Sequence, residues 1–255
     1  MTARALLFDI GNTRVKWGVL DDGDLSRTGS ITHEALKEKG IEALTRRLPK
    51  TVDRAIACNV AGPDVGRRFA RAIGIHIGGD LGFVHSESRG YGVVSAYRQS
   101  RTLGVDRWVA MVAAREEFAG AMMVVDLGTA VTIDAVTADG THLGGQIIPG
   151  LRLLRDALAR DTSDIGAVAG KSVRIDGPRD FFATTTGKAV ACGSLGAVCG
   201  AIERAEAMLL SLGHQPTIVL TGGDASRILP LLAGEPEHRP HLVLQGLGVM
   251  VQSDP

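Results

Sequence analysis

The sequence predicts an α/β fold built twice over: two halves, each a mixed sheet flanked by helices, each opening on a β-hairpin. Three observations predict it. The stretch LLFDIGNTRVKWGVLDDG (6–23) is matched by MVVDLGTAVTIDAVTADG (123–140). In that match Asp9 falls on Asp126, Gly11 on Gly128, Asp22 on Asp139 and Gly23 on Gly140, at a constant offset of 117 residues. Segments with helical spacing, VDRWVAMVAAREEFA (105–119) and the long run 188–213, supply the helices that a sheet needs on its faces.

Each copy has the same physical logic. A short apolar run makes a buried strand, and an Asp closes it. A Gly and a small polar residue then make a tight turn whose backbone N–H groups can face an anion. A second strand follows and ends in an Asp-Gly turn signal. One such D-x-G is ordinary turn punctuation, but two in register are a duplication. Two halves with facing phosphate-binding hairpins are the architecture of the duplicated ribonuclease H-like fold of actin, Hsp70, acetate kinase and the sugar kinases. There a nucleotide lies between the halves, and the step to this chain is one of fold analogy.

The other elements follow in order. The helix 105–119 follows Gly104 and crosses over to the second hairpin. GGQIIPG (144–150) pairs glycines with a Pro-Gly, which implies close backbone approach and a rigid turn in a loop. The run 188–213 ends at Gly213, a natural C-cap. TIVLTGG (217–223) is a strand ending in glycines, and LVLQGLGVMV (242–251) is an apolar final element, helical at its end. A division near Glu117–Ala121 gives an N-terminal half, 1–118, and a C-terminal half, 119–255.

Charge and composition exclude several classes. The 28 basic and 28 acidic side chains cancel, so no global field draws the chain to nucleic acid or an anionic membrane. No stretch has the apolar length of a membrane span. The first apolar run ends at Asp9, too short for a signal-peptide core, and a cytoplasmic protein is expected. Cys58, Cys192 and Cys199 are odd in number and scattered, as reduced core thiols are. The histidines lack zinc spacing, and His238 and His241, flanking Pro240, are expected in a solvated loop. No Walker loop, dinucleotide fingerprint or nucleophile elbow occurs.

Three constellations carry chemistry. In D-I-G-N-T-R-V-K (Asp9–Lys16), Gly11, Asn12 and Thr13 offer donors to phosphate oxygens, and Lys16 adds a cation. Asp9 could hold a water of hydrated Mg2+, or simply close the hairpin. In D-L-G-T-A-V-T (Asp126–Thr132), Thr129 is placed to touch phosphate from the other side, and Asp126 is the analogue of Asp9. In G-V-D-R (Gly104–Arg107), Asp106 could accept a proton from an attacking hydroxyl, while Arg107 could fork onto a carboxylate or phosphate. Capping chemistry at a helix N-terminus is the alternative there. T-G-G-D (Thr221–Asp224) would let the chain pass close to a base or ribose.

With these motifs in order, the sequence resembles the type III pantothenate kinases over nearly its whole length. The resemblance rests on D-x-G-N-T at the start, L-G-x-D-R at Leu103–Arg107, D-x-G-T-A-x-T at 126–132, G-G-x-I-x-P-G at 144–150 and T-x-x-A-x-x-x-G at Thr186–Gly193. It implies ATP-dependent phosphorylation of pantothenate to 4′-phosphopantothenate, the first step toward coenzyme A, by a cytoplasmic homodimer. It implies an ATP segment of Asp9, Ile10, Gly11, Asn12, Thr13, Arg14, Val15 and Lys16, with Thr129 a further ATP contact. Asp106 matches the proton acceptor, and Gly104, Val105, Asp106 and Arg107 match the pantothenate segment. Asp126 matches the ligand of a monovalent cation, K+ or NH4+. Thr186 matches a pantothenate contact from the dimer partner or its vicinity. Tyr97 stands in register with a Tyr that lines the pantothenate site. The family follows that Tyr with Asn or Asp and then Pro, where this chain has Gln99 and Ser100, so a looser loop is expected. The competing readings are another small-molecule kinase of the superfamily and a non-catalytic accessory factor for transcription.

Overall fold

A computed structural model of the chain describes residues 4–162, 165 and 181–253. Two compact units make up the chain. The first runs from Met1 to Ala119 and includes Gly140–His142 and His241–Pro255; the second is Gly120–Asp139 with Leu143–Pro240.

In the first unit the elements are β1 (Ala5–Ile10), β2 (Arg14–Asp21), β3 (Asp24–Thr32), α1 (His33–Lys39), α2 (Glu42–Thr45), β4 (Arg54–Asn59), α3 (Pro63–Ile77), β5 (Gly82–Phe83), β6 (Arg89–Gly90), β7 (Val93–Val94) and α4 (Val105–Glu117). The sheet order is β3-β2-β1-β4-β5, with β1 antiparallel to β2 and parallel to β4. Asp22 and Gly23 turn β2 into β3 with positive φ at both residues, 51° and 93°, the geometry an Asp-Gly pair favours. Successive side chains of β1 point to opposite faces. Leu6, Phe8 and Ile10 enter a core with Val15, Trp17, Phe69 and Ile73. Leu7 and Asp9 therefore face the other side, where α4 and the C-terminal helix (Leu242–Ser253) pack. Those two helices approach closely enough that a Cβ on Gly246 would run into Val109 O.

The second unit repeats the plan. Its strands are β8 (Met122–Leu127), β9 (Ala130–Val136), β10 (His142–Pro149), β11 (Thr217–Thr221) and β12 (Glu237–His238), and its helices are α5 (Leu151–Asp161), α6 (Thr186–Ser211) and α7 (Ala225–Ile228). The order β10-β9-β8-β11-β12, with β8 antiparallel to β9 and parallel to β11, reproduces the first sheet. Met123, Val125 and Leu127 form a core with Leu195, Val198 and Ile202 of α6. The hairpin loops differ by one residue. Ile10 pairs with Val15, whereas Leu127 pairs with Val131. The constant sequence offset thus hides a one-residue change of strand register.

Several expectations are corrected. Residues 144–149 are strand rather than loop, because they complete β10 at the sheet edge. The close approach read from Gly150 is real, but its target is protein: Gly150 N–H donates to Thr129 O at 3.1 Å. The final element is helical from Leu242 and packs in the first unit, not with the second half. His238 lies in β12 rather than in a loop, whereas His241 is exposed as expected, with Nε2 3.2 Å from Thr28 Oγ1. Gly213, with φ of 84°, ends α6 as expected.

Candidate active site

Cross-strand partners in a sheet share a face. Asp9 on β1 has Lys16 opposite it on β2 and Cys58 beside it on β4. Lys16 Nζ is 3.7 Å from Asp9 Oδ2, and the Cys58 thiol donates to Asp9 Oδ1 at 3.5 Å. Asp9 is only 7% exposed. Burial raises its pKa above the ordinary aspartate value, while Lys16 and Cys58 pull it down. Burial also raises the Cys58 pKa, and the charges of Asp9 and Asp106 push it the same way, so the group stays a thiol donor.

Asp106 reaches the same face from the first turn of α4. Burial raises its pKa, the Arg107 N–H lowers it, and the charge of Asp9 raises it again. Its Oδ1 accepts from the Arg107 N–H at 2.8 Å, so part of the capping reading is correct. A Cβ on Gly104, two residues earlier, would lie 2.7 Å from that oxygen and press the carboxylate aside. Two carboxylates thus lie within electrostatic reach of each other, Asp9 buried beside Lys16 and Asp106 half-buried. Such an arrangement favours an added cation. Among the described residues no three His, Cys, Asp or Glu side chains gather as a metal cage. Mg2+ does not need one, since it keeps its waters and takes one or two carboxylates plus phosphates. Asp9 therefore fits as a holder of hydrated Mg2+.

The loop from Gly11 to Thr13 crosses the end of this face, and Asn12, Thr13 and Arg14 are exposed. Gly11 N–H closes the turn on Arg14 O at 3.1 Å, so that donor serves the hairpin rather than an anion. Ile10 and Val15 are core residues that anchor the loop.

Arg107 is 6% exposed, and its Nη1 donates to Tyr97 Oη at 3.1 Å. Its guanidinium lies 5.8 Å from the Tyr97 ring centre, and Tyr97 stacks on His142 with centroids 6.1 Å apart. The loop without the Pro carries hydrogen bonds of its own. Thr102 donates twice to Gln99 O, from N at 2.9 Å and from Oγ1 at 2.7 Å, and Ser86 Oγ holds Leu103 O at 2.9 Å. A cavity of about 580 Å3 lies on the far side of this segment, lined by residues 83–88, Tyr91, Ser100, Arg101 and Met250. Asp9, Lys16 and Asp106 are not among its lining residues.

The second unit holds Asp126, Thr129 and Thr186. Asp126 ends β8 beside Thr132, and Gly222 crowds it so closely that a Cβ there would meet its Oδ1. That contact, with a φ of 94°, explains the glycine at 222, while a Cβ on Gly223 would meet open space. Thr129 O is held by Gly150, and Thr186 is exposed in the first turn of α6. The structure therefore gathers Asp9–Lys16, Tyr97 and Gly104–Arg107 in one unit and the other three residues in the second. Sequence reasoning missed three residues. Asp134 is a carboxylate 1% exposed on the Asp126 face, two places past the end of the motif. Cys58 could be placed beside Asp9 only through strand pairing. His33 lies in no motif, yet its Nε2 is 2.7 Å from Gly11 O.

The comparisons with known proteins meet this geometry. The family model for type III pantothenate kinase matches residues 5–207. A type III pantothenate kinase of Nitrosococcus oceani is 38% identical over 248 residues, covering 95% of this chain and 91% of its own. Another, of Chromobacterium violaceum, is 39% identical over 244 residues, covering 95% and 97%. Among solved structures, a Baf family transcriptional activator from Campylobacter jejuni shares the fold at a TM-score of 0.59 and 20% identity, covering 98% of both chains. The fold is the duplicated one of actin and the sugar kinases, and the chain belongs to the type III pantothenate kinase family.

Proposed function

We propose that in this pantothenate kinase Asp106 is the general base, Asp9 and Lys16 serve the phosphates, and Tyr97 with Arg107 holds pantothenate. The observation that carries the reading is that Asp106, half-buried, stands near enough to the buried Asp9–Lys16 pair for the charge of Asp9 to raise its pKa, with Arg107 one residue beyond. The family's reaction phosphorylates a hydroxyl of pantothenate with ATP. Phosphoryl transfer requires little covalent work from a protein: anchored phosphates, charge compensation and a positioned nucleophile. The pantothenate primary hydroxyl attacks the γ-phosphorus, the bond from that phosphorus to the β–γ bridging oxygen breaks, and ADP leaves. The hydroxyl proton passes to Asp106. A carboxylate whose pKa burial has raised is a stronger base than an ordinary aspartate, which suits that role. Lys16 and the loop donors hold the phosphates in place. Mg2+, when bound through water at Asp9, offsets phosphate charge.

Three further assignments belong to this reading. A monovalent cation, K+ or NH4+, is held at Asp126, the counterpart in the second hairpin of Asp9 in the first. The enzyme is a homodimer. Ile147 and Phe182 of the second unit are 63% and 86% exposed, and an apolar edge of that kind supports a covering partner. Thr186 reaches pantothenate from that partner or its vicinity. The reaction takes place in the cytoplasm, a compartment that supplies ATP and keeps thiols such as Cys58, Cys192 and Cys199 reduced.

ADP release with ATP, Mg2+ and pantothenate, with K+ or Na+ as the sole monovalent cation, tests the reading. Turnover that needs pantothenate and is high in K+ but low in Na+ is expected. Equal turnover in both removes the cation site. Pantothenate-dependent turnover that survives intact in Asp106→Asn removes the base.

A further inference from the structure

We infer that His33 is a positioning residue for the phosphate loop, holding the loop from behind so that its Asn12 N–H faces the nucleotide. The inference rests on the reading of Gly11–Thr13 as a phosphate site. His33 opens α1 immediately after β3, and it grips the loop twice. Its backbone N–H donates to Thr13 O at 3.0 Å, and its ring Nε2 is 2.7 Å from Gly11 O. A carbonyl oxygen only accepts, so Nε2 carries the proton. That proton is present in the neutral ring as drawn and in the imidazolium alike, so the grip does not depend on the charge of the ring.

The consequence follows from the planarity of the peptide. In a trans peptide the C=O and the N–H of the next residue point in opposite directions. A ring that draws Gly11 O toward itself therefore turns the Asn12 N–H away from α1. Asn12 is exposed at the tip of the loop, and with Gly11 N–H engaged on Arg14 O its peptide is the first free to turn toward an anion. Gly11 has no side chain to resist rotation of that peptide, so an external contact must fix its direction. His33 supplies the contact from α1, whose own start is secured by the Thr32 hydroxyl accepting from Ala35 N at 3.2 Å. The backbone half of the grip is available to any residue. The ring half is particular to a side chain with a donor at the distance of Nε2.

Three substitutions test this. His33→Leu removes the donor, His33→Asn keeps a donor that is too short to reach, and His33→Gln places an amide N–H2 near the position of Nε2. Loss of one orienting hydrogen bond is expected to raise KM for ATP about three- to tenfold in the Leu and Asn variants. KM for pantothenate should stay unchanged, and Gln should restore most of the ATP affinity. Equilibrium binding of ADP to each variant should follow the same order without turnover. Wild-type KM for ATP in folded Leu and Asn variants overturns the inference, as does a Gln variant no better than Asn. Asn12→Pro, which deletes the N–H, separates the two levels. If it leaves KM for ATP unchanged, the phosphate-loop reading itself fails. If it raises that KM while the His33 series stays flat, only the role of His33 fails.

Discussion

Burial of Asp9 costs the folded state free energy whenever the carboxylate is ionised. Its folded pKa is raised, chiefly by desolvation, above the value of about 3.9 usual for an aspartate in an unfolded chain. The folded protein therefore takes up a proton before the unfolded chain does as the pH falls, and the penalty is present in full above the raised pKa and gone below the unfolded one. Asp9→Asn keeps an acceptor for the Cys58 thiol and removes the charge. It should raise Tm more at pH 8 than at pH 5 while lowering activity. A Tm that falls at pH 8 would show that the Lys16 ion pair outweighs the burial. Asp106 carries the same sign into kinetics. As the proposed base it must be ionised to accept a proton, and its raised pKa should place the acid limb of kcat/KM above the ordinary aspartate range, with activity lost as the pH falls through it. Asp106→Asn should cost about a hundred- to ten-thousandfold in kcat and remove that limb. These carboxylates were legible in the sequence because each sits in a short motif whose chemistry is local. Cys58, Asp134 and His33 were not. Cys58 acquires meaning only from the parallel pairing of β4 with β1, Asp134 only from its place on the face of β9, and His33 only from the fold-back of β3 that brings α1 behind the loop.

The helix α4 couples its packing to Asp106, the base proposed above. Its buried side holds Trp108, Met111 and Val112, and the C-terminal helix lies against it through Gly246, while Gly248 of that helix faces Leu7 and Leu20 of the sheet. A methyl at Gly246 meets the carbonyl and Cγ1 of Val109, three residues beyond Asp106 in the sequence. Overpacking of this kind typically costs about 1–3 kcal/mol. Gly246→Ala should therefore lower the urea midpoint, and the displacement of α4 should lower kcat more than it raises either KM. Unchanged stability would mean that the two helices slide apart freely. The elements themselves were legible where periodicity is long and pure: α4 and α6 fall within two residues of their expected starts. The strand β10 was not, because its two glycines and its Pro-Gly end carry turn chemistry, and only its place at the sheet edge makes it a strand. The seat of the C-terminal helix was not legible either. An apolar run says that it will be buried, not which sheet will bury it.

At the scale of the whole molecule, duplication explains both the likeness and the difference of the two units. The same strand order places an Asp at the end of the central strand of each sheet, Asp9 in one and Asp126 in the other. The first copy keeps Lys16 beside its Asp, and the second has Thr132 at the paired position. The monovalent cation proposed at Asp126 would take the part that Lys16 plays in the first copy. The apolar edge of the second unit raises the question of assembly. Exposed edge strands are ordinarily blunted by charge or covered. β10 instead presents Leu143 and Ile147, and nearby in sequence α5 presents Leu153 and Leu158. A second copy of the chain covers this surface in the homodimer proposed above. Ile147→Glu should then halve the mass measured by light scattering at micromolar concentration. If Thr186 serves pantothenate across the interface, the same variant should raise KM for pantothenate at least tenfold, and added enzyme concentration should partly restore it. KM for ATP should change little, since the residues proposed for the phosphates lie within one chain. A variant that remains dimeric with both constants unchanged would place the interface elsewhere. A variant that becomes monomeric yet keeps its KM for pantothenate would detach Thr186 from the substrate while leaving the dimer face intact.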